Sequence, residues 1–179
     1  MKKIILLIFA TVFLMCINTA SNATVLTFDS LAGIAGVPIG YGGFNWPNMY
    51  VYDAVNIIHW GGYTNGLNNS VVSPNNVLSN PYGMARVTSI SSTFDFNDAY
   101  FTAVWNNGLN INVSGYLGGA LKNSTTVVVN TYAPTWFQFN FMGIDELRLD
   151  SYGGVAAGYI GWGGVMSGPQ FAMDNFTFN

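Results

Sequence analysis

Leu109-Asn110-Ile111-Asn112-Val113-Ser114 alternates apolar and polar residues without a break. Successive side chains of a strand point to opposite faces. The stretch therefore reads as a β-strand with Leu109, Ile111 and Val113 toward a core and the Asn and Ser side chains toward water. The same period recurs outward from it. Phe137, Phe139 and Phe141 alternate with Trp136, Gln138 and Asn140, and Leu147 and Leu149 alternate with Glu146, Arg148 and Asp150. Further strands are expected over 24–28, 49–52, 84–90, 100–105, 125–130 and 171–178. No stretch after residue 23 holds a 3.6-residue apolar period, and Gly, Asn and Pro interrupt the chain often. Asn106-Asn107-Gly108, Gly118-Gly119 and Ala133-Pro134 are expected to close tight strand-to-strand turns. Many short strands with frequent turns predict an all-β, two-sheet antiparallel β-sandwich, jelly-roll-like, of the galactose-binding and carbohydrate-binding-module type. Two long loops are expected on it, 61–81 and 153–169, and long loops on a rigid sandwich usually carry function.

The amino terminus has a different character. Lys2 and Lys3 precede an apolar run from Ile4 to Ile17, followed by small and polar residues to Ala23. That is the pattern of a secretory signal peptide, expected over 1–23 with cleavage after Ala23, or alternatively after Ala20. The run is short for a membrane span, which needs about 20 apolar residues. Cys16 is a poor lipid-attachment site, because Phe13, Leu14 and Met15 precede it where small residues are needed. The expectation is a secreted protein, periplasmic or extracellular, with a single domain over 24–179 and no membrane anchor. Cys16 is the only cysteine, so the mature chain has no disulfide and its stability must come from packing, with or without a metal.

Loss of Lys2 and Lys3 leaves Arg86, Lys122 and Arg148 against eight acids, a formal charge of −5. Three scattered cations cannot neutralise a phosphate backbone, which argues against nucleic acid as a partner. The surface is polar with few charges and rich in rings, a composition suited to neutral sugars.

Leu26-Thr27-Phe28-Asp29, Gly40-Tyr41-Gly42-Gly43-Phe44-Asn45-Trp46 and Phe94-Asp95-Phe96-Asn97-Asp98-Ala99-Tyr100 carry a family resemblance. So do Trp105-Asn106-Asn107-Gly108-Leu109, Gly143-Ile144-Asp145-Glu146-Leu147 and Phe171-Ala172-Met173-Asp174-Asn175. In these the chain resembles uncharacterised exported β-sandwich proteins of Gram-negative bacteria, many of which carry a PEP-CTERM sorting segment. The resemblance implies a β-sandwich and export, and no activity. The sequence ends at Asn179 without an apolar tail or basic cluster, so release rather than anchoring is expected.

Candidate chemistry is sparse. His59 is the only histidine, which leaves zinc sites and Ser-His-Asp or Cys-His catalysis without their usual ligands and bases. Glycosidases need two carboxylates at a set separation. Glu146 is the only glutamate, and Asp145 beside it should point to the opposite face. Asp95 and Asp98 are expected to cap a turn. No Gly-rich segment opens a helix after a strand, so a phosphate loop is not expected. The best ionic candidate joins the chain ends. Phe171 and Met173 share one parity and Phe176 and Phe178 the other, so a β-bulge is expected at Asp174-Asn175. Asp29 and Asp174 are then candidate ligands of a structural calcium, which takes six to eight hard oxygens. The alternative is that both acids bond backbone groups locally.

Aromatic residues remain. A sugar ring stacks on an exposed indole while neighbouring amides or acids read its hydroxyls. Trp60 and Tyr63 border the first long loop and Trp162 lies in the second; these three are the expected ligand-binding residues, whereas Trp46, Trp105 and Trp136 are expected in core or sheet packing. The leading functional reading is a secreted, non-catalytic β-sandwich binding carbohydrate, a glycan or another extracellular surface ligand. The second is a structural or adhesive extracellular protein binding a protein partner, and the third a polysaccharide hydrolase or lyase.

Overall fold

A computed structural model describes residues 22–57, 64–161 and 163–179. The signal-peptide expectation falls almost wholly outside them. The strands are β1 (Thr24–Leu26), β2 (Ala35–Gly36), β3 (Phe44–Asn45), β4 (Tyr50–Asp53), β5 (Asn76–Ser79), β6 (Ala85–Ser89), β7 (Phe94–Ala103) and β8 (Asn106–Asn107). They continue as β9 (Leu109–Leu117), β10 (Ala120–Val129), β11 (Thr135–Ile144), β12 (Glu146–Tyr152), β13 (Val155–Ala156), β14 (Ile160–Gly161), β15 (Gly164–Val165) and β16 (Phe171–Phe178).

Two antiparallel sheets face each other, as the sequence predicts. One runs β11-β7-β16-β5-β4-β2 with β1 also paired to β16, and the other runs β10-β9-β12-β6-β3. Leu109, Ile111, Val113, Leu147 and Leu149 fill the space between them and are fully buried. Phenylalanines complete the core. Phe96 stacks on Phe139 at 4.8 Å and on Phe176 at 4.9 Å, and Trp46 stands edge-on to Phe28 at 5.6 Å. Pairs of this kind add about 0.5–1.5 kcal/mol each beyond the area they bury.

The expected bulge is present. Asp174 pairs with Tyr100 and Thr177 with Asp98, so β16 gains one residue there, and Asn175 has φ 53°. Phe171 and Met173 before it, and Phe176 after it, all face the core. The next step reverses the count, with Thr177 opposite Asp98 and Phe178 opposite Phe96. The extra residue there lies in β7, which explains why its inward set changes parity from Phe94 and Phe96 to Ala99, Phe101 and Ala103.

Three expectations about connections need correction. Gly118-Gly119 does close the β9–β10 hairpin, both glycines having positive φ (57° and 81°). Asn106-Asn107-Gly108 does not, because β7 and β9 belong to different sheets; Asn106 and Asn107 pair instead with Ala156 and Val155. Ala133-Pro134 likewise lies on a crossover, from β10 to β11 in the other sheet. Asp95 and Asp98 lie within β7 rather than at a turn. Asp95 Oδ1 accepts the N–H of Gly143 (2.7 Å) at an irregularity of β11, where Gly143 has φ 60°.

The expected loop 61–81 is also more than a loop. It contains a 3-10 turn, Gly66–Asn69, and β5, a strand inside the seven-stranded sheet. Residues 54–57 and 64–75 lie against the outer face of that sheet, where Ala54, Leu67, Val77, Val104 and Ala172 make a second small core. Val77 and Leu78 are therefore both fully buried, on opposite faces.

Candidate functional site

The covering segment is fastened from both ends of the chain. Asp174, 1% exposed, points out of the bulge under residues 72–73. The N–H groups of Val72 (2.8 Å) and Ser73 (3.0 Å) donate to its Oδ2. Ser73 Oγ (3.1 Å) and the Asn175 N–H (2.7 Å) donate to its Oδ1. Asp29 Oδ1 accepts the N–H groups of Asn75 (2.8 Å) and Asn76 (3.0 Å). Phe28 sets the angle: it is fully buried at φ 64°, and its carbonyl accepts from Leu31 N–H and Asn76 Nδ2. Burial pushes the Asp174 carboxyl up, against the pull of its N–H donors. Slight burial also acts upward on Asp29, but the Asn76 and Asn75 N–H groups together with the Thr27 and Ser73 hydroxyls outweigh it and hold Asp29 below the usual carboxylate range. The two proposed calcium ligands thus serve one segment, and N–H donors already occupy part of each carboxylate. Among the described residues no three His, Cys, Asp or Glu side chains gather as a metal-ligand group; a calcium here would draw its other ligands from carbonyls or water.

Beside the covering segment, at the end of the sheet where β5 stops and β16 starts, is a recess of about 230 Å³. Trp105 and Tyr52 form its aromatic wall, with Leu67 and Val104 at its apolar base. Asn65 and Gln170 supply amides, and among the described residues no charged side chain lines it. Each amide is oriented by one bond. Asn65 caps the 3-10 turn, its Oδ1 accepting Leu67 N–H (2.8 Å), so Nδ2 is left as donor. Gln170 Nε2 donates to the Pro81 carbonyl (3.4 Å), so Oε1 is left as acceptor. Among the described residues Asn65 Nδ2 and Gln170 Oε1 are buried without a hydrogen-bond partner. Buried polar atoms without a partner are rare and costly, about 1–3 kcal/mol each.

The rim is tied down. Tyr159 meets Trp105 edge-on at 6.4 Å, Ala157 N–H donates to the Trp105 carbonyl (2.9 Å), and Asn106 Oδ1 accepts from Ser167 Oγ (2.9 Å) and Gly168 N–H (3.1 Å). Gly66 permits the closest approach. Its N–H donates to the Val104 carbonyl (2.9 Å), and a Cβ on it would lie 1.8 Å from the Ala103 carbonyl oxygen.

Trp60, Tyr63 and Trp162 lie outside the described residues. The described ends of their loops border this region: Ile57 packs on the second core, Asn65 lines the recess and Tyr159 touches Trp105. Of the tryptophans expected in packing, Trp46 is 5% exposed and belongs to the core. Trp105 packs on the second core as expected and also walls the recess, whereas Trp136 stands half exposed on the outer side of β11. Sequence reasoning missed Asn65, Gln170 and Trp105 as a group because they come from three distant segments. The one available signal was the pair of Asn and Gln residues flanking the Trp-bearing loops.

The acids considered for hydrolysis are engaged elsewhere. Glu146 receives Arg148 Nε (2.8 Å) and Nη2 (3.1 Å), with Arg86 at 3.7 Å, and the Arg148 bonds hold its carboxyl below the usual range. The Arg148 guanidinium lies 3.9 Å from the Tyr116 ring centroid. Asp145 Oδ2 accepts the Gly118 N–H at the β9–β10 turn (2.7 Å).

No protein-family profile matches the sequence, and no curated protein matches it. Solved structures do. A DUF4465 family protein from Bacteroides caccae ATCC 43185 superimposes with a TM-score of 0.61 at 8% identity, over 89% of this chain and 99% of that one. A DUF4465 family protein from Bacteroides ovatus ATCC 8483 gives 0.44 at 10% identity, over 88% and 93% of the two chains. The CBM51-2 and INT domains of Clostridium perfringens ZmpB give 0.36 at 12% identity, over 75% of this chain and 30% of that one. The first likeness is one of architecture: this chain has the fold of the Bacteroides caccae DUF4465 protein.

Proposed function

We propose that the protein is a secreted, non-catalytic β-sandwich that binds carbohydrate in the recess between Tyr52 and Trp105. The observation that carries the reading is the pairing of an aromatic wall with the amide side chains of Asn65 and Gln170, each with a partnerless atom among the described residues, in a recess where no described charged side chain stands. An indole offers a flat face to the C–H side of a sugar ring. A donor on Asn65 and an acceptor on Gln170 suit a hydroxyl group, which both accepts and donates. Trp60, Tyr63 and Trp162 are further proposed contacts on the sequence argument alone.

Binding of the exported protein to a neutral-glycan array tests the reading, with Trp105→Ala and Gln170→Leu as variants. Retention on at least one neutral glycan, lost in Trp105→Ala at unchanged melting temperature, supports it. A wild-type protein that binds no glycan, or a Trp105→Ala protein that binds as well as wild type, overturns it. Export is tested separately by intact mass, which should begin at Thr24; a mass retaining Cys16 sinks that part.

A further inference from the structure

Tyr82 is 79% exposed, on the turn between β5 and β6 and next to Pro81 of the recess wall. A ring so exposed gains nothing from the core, yet the turn beneath it is held at four points. Asn48 Nδ2 donates to the carbonyls of Gly83 (3.0 Å) and Met84 (3.1 Å), Asn80 Nδ2 donates to Gly83 (2.9 Å) and Gln170 Nε2 donates to Pro81 (3.4 Å). Gly83 takes φ 93°, a conformation that glycine adopts without strain. Tyr50 braces the ring edge-on at 6.1 Å. The hydroxyl of Tyr52 is pushed up, first by burial and then by the hydroxyls of Tyr82 and Tyr50. Tyr82 is thus an aromatic platform set in a fixed place beside the recess. A rigid ring loses little conformational freedom on contact, which is why such residues anchor binding sites.

Cavities that hold drug-sized ligands run about 300–1,000 Å³. At about 230 Å³ the recess is smaller than that and suits a single ring. We infer that the site reads two consecutive residues of an uncharged glycan, one seated in the recess against Trp105 and the next lying on Tyr82. This rests on the carbohydrate reading above and adds to it the length and charge class of the ligand.

The test is calorimetric titration of the full mature protein with gluco-, galacto-, manno- and xylo-oligosaccharides of one to four residues, and with polygalacturonate as the charged probe. For the series that binds, affinity should rise about tenfold from one residue to two, equivalent to about 1.4 kcal/mol, and level off beyond. Tyr82→Ala, melting as wild type does, should bring that ratio toward one, while Tyr82→Phe should keep it. A ratio unchanged in Tyr82→Ala overturns the second subsite with the carbohydrate reading intact. Preference for polygalacturonate overturns the uncharged class. No binding by any probe overturns the carbohydrate reading itself.

Discussion

Asp29 and Asp174 stand near opposite ends of the chain and clasp the same short segment. Asp174 takes the N–H groups of Val72 and Ser73, and Asp29 takes those of Asn75 and Asn76. The segment therefore ties the first and last strands of the domain to its covering layer.

Asp174→Asn should destabilise more than Asp29→Asn. Both Asp174 oxygens accept hydrogen bonds, so an amide NH2 in their place must face N–H donors in a buried site. The expected loss is about 1–3 kcal/mol, or roughly 2–4 °C of melting temperature per kcal/mol in a domain of this size. Asp29 is exposed, and water can replace its bonds. Equal losses, measured by thermal melts, would show that burial is not what separates them.

The two acids also oppose each other in pH dependence. Asp174 has a raised folded pKa, so the folded state binds its proton more tightly. Its linkage makes stability fall as pH rises from the ordinary value of 3.8 through the raised one. Asp29 has a lowered pKa, and its contribution, full above 3.8, is lost as pH falls through the depressed value. Denaturant melts across pH 3–7 should therefore show stability changing less favourably with rising pH above 3.8 in wild type than in Asp174→Asn. A slope identical in the two proteins would assign the pH dependence to other groups.

A structural calcium shared by Asp29 and Asp174 is a proposal with a direct measurement. An ion that binds only the folded state adds RT ln(1 + [L]/Kd), about 2.7 kcal/mol at a hundredfold excess over Kd. Chelation should then lower the melting temperature by several degrees, and Asp174→Asn should respond less. Unchanged melting in excess EDTA, after time for slow release, would leave the N–H bonds as the sole role of the pair.

Gly66→Ala should be among the most damaging single substitutions, because its Cβ would overlap a strand carbonyl 1.8 Å away rather than a movable side chain. Overpacking of this kind costs about 1–3 kcal/mol and shifts the backbone. The shift would also displace Asn65, so a glycan that binds wild type should bind this variant more weakly even at temperatures where it is folded. Wild-type binding and melting would mean that the 3-10 turn moves freely away from β7.

Much of the sandwich was legible because β9, β11 and β12 each bury one face, so polar and apolar residues alternate. β5 was not, because Asn76-Val77-Leu78-Ser79 is buried on both faces and shows no alternation. The start of β7 was hidden by Asp95 and Asp98, whose polarity reads as a turn although both sit in the sheet. Asn106-Asn107-Gly108 has hairpin chemistry but joins two sheets, and residue types at a turn do not encode which strand comes next. The bulge at Asp174 was legible from parity alone. The recess was not, since Asn65, Trp105 and Gln170 meet only through the sheet order.

β16 lies inside the seven-stranded sheet, between β7 and β5, and β1 also pairs with it. A chain that emerges amino terminus first cannot complete its seven-stranded sheet until Phe171–Phe178 arrive. Before then β1, β5 and β7 lack their shared neighbour, and the carboxylate that fastens residues 72–73 is missing. The contacts that complete the fold are therefore among the longest in sequence, and their loop-closure entropy is lost in a late step. The seven-stranded sheet would therefore stay open during synthesis and close only when β16 is free.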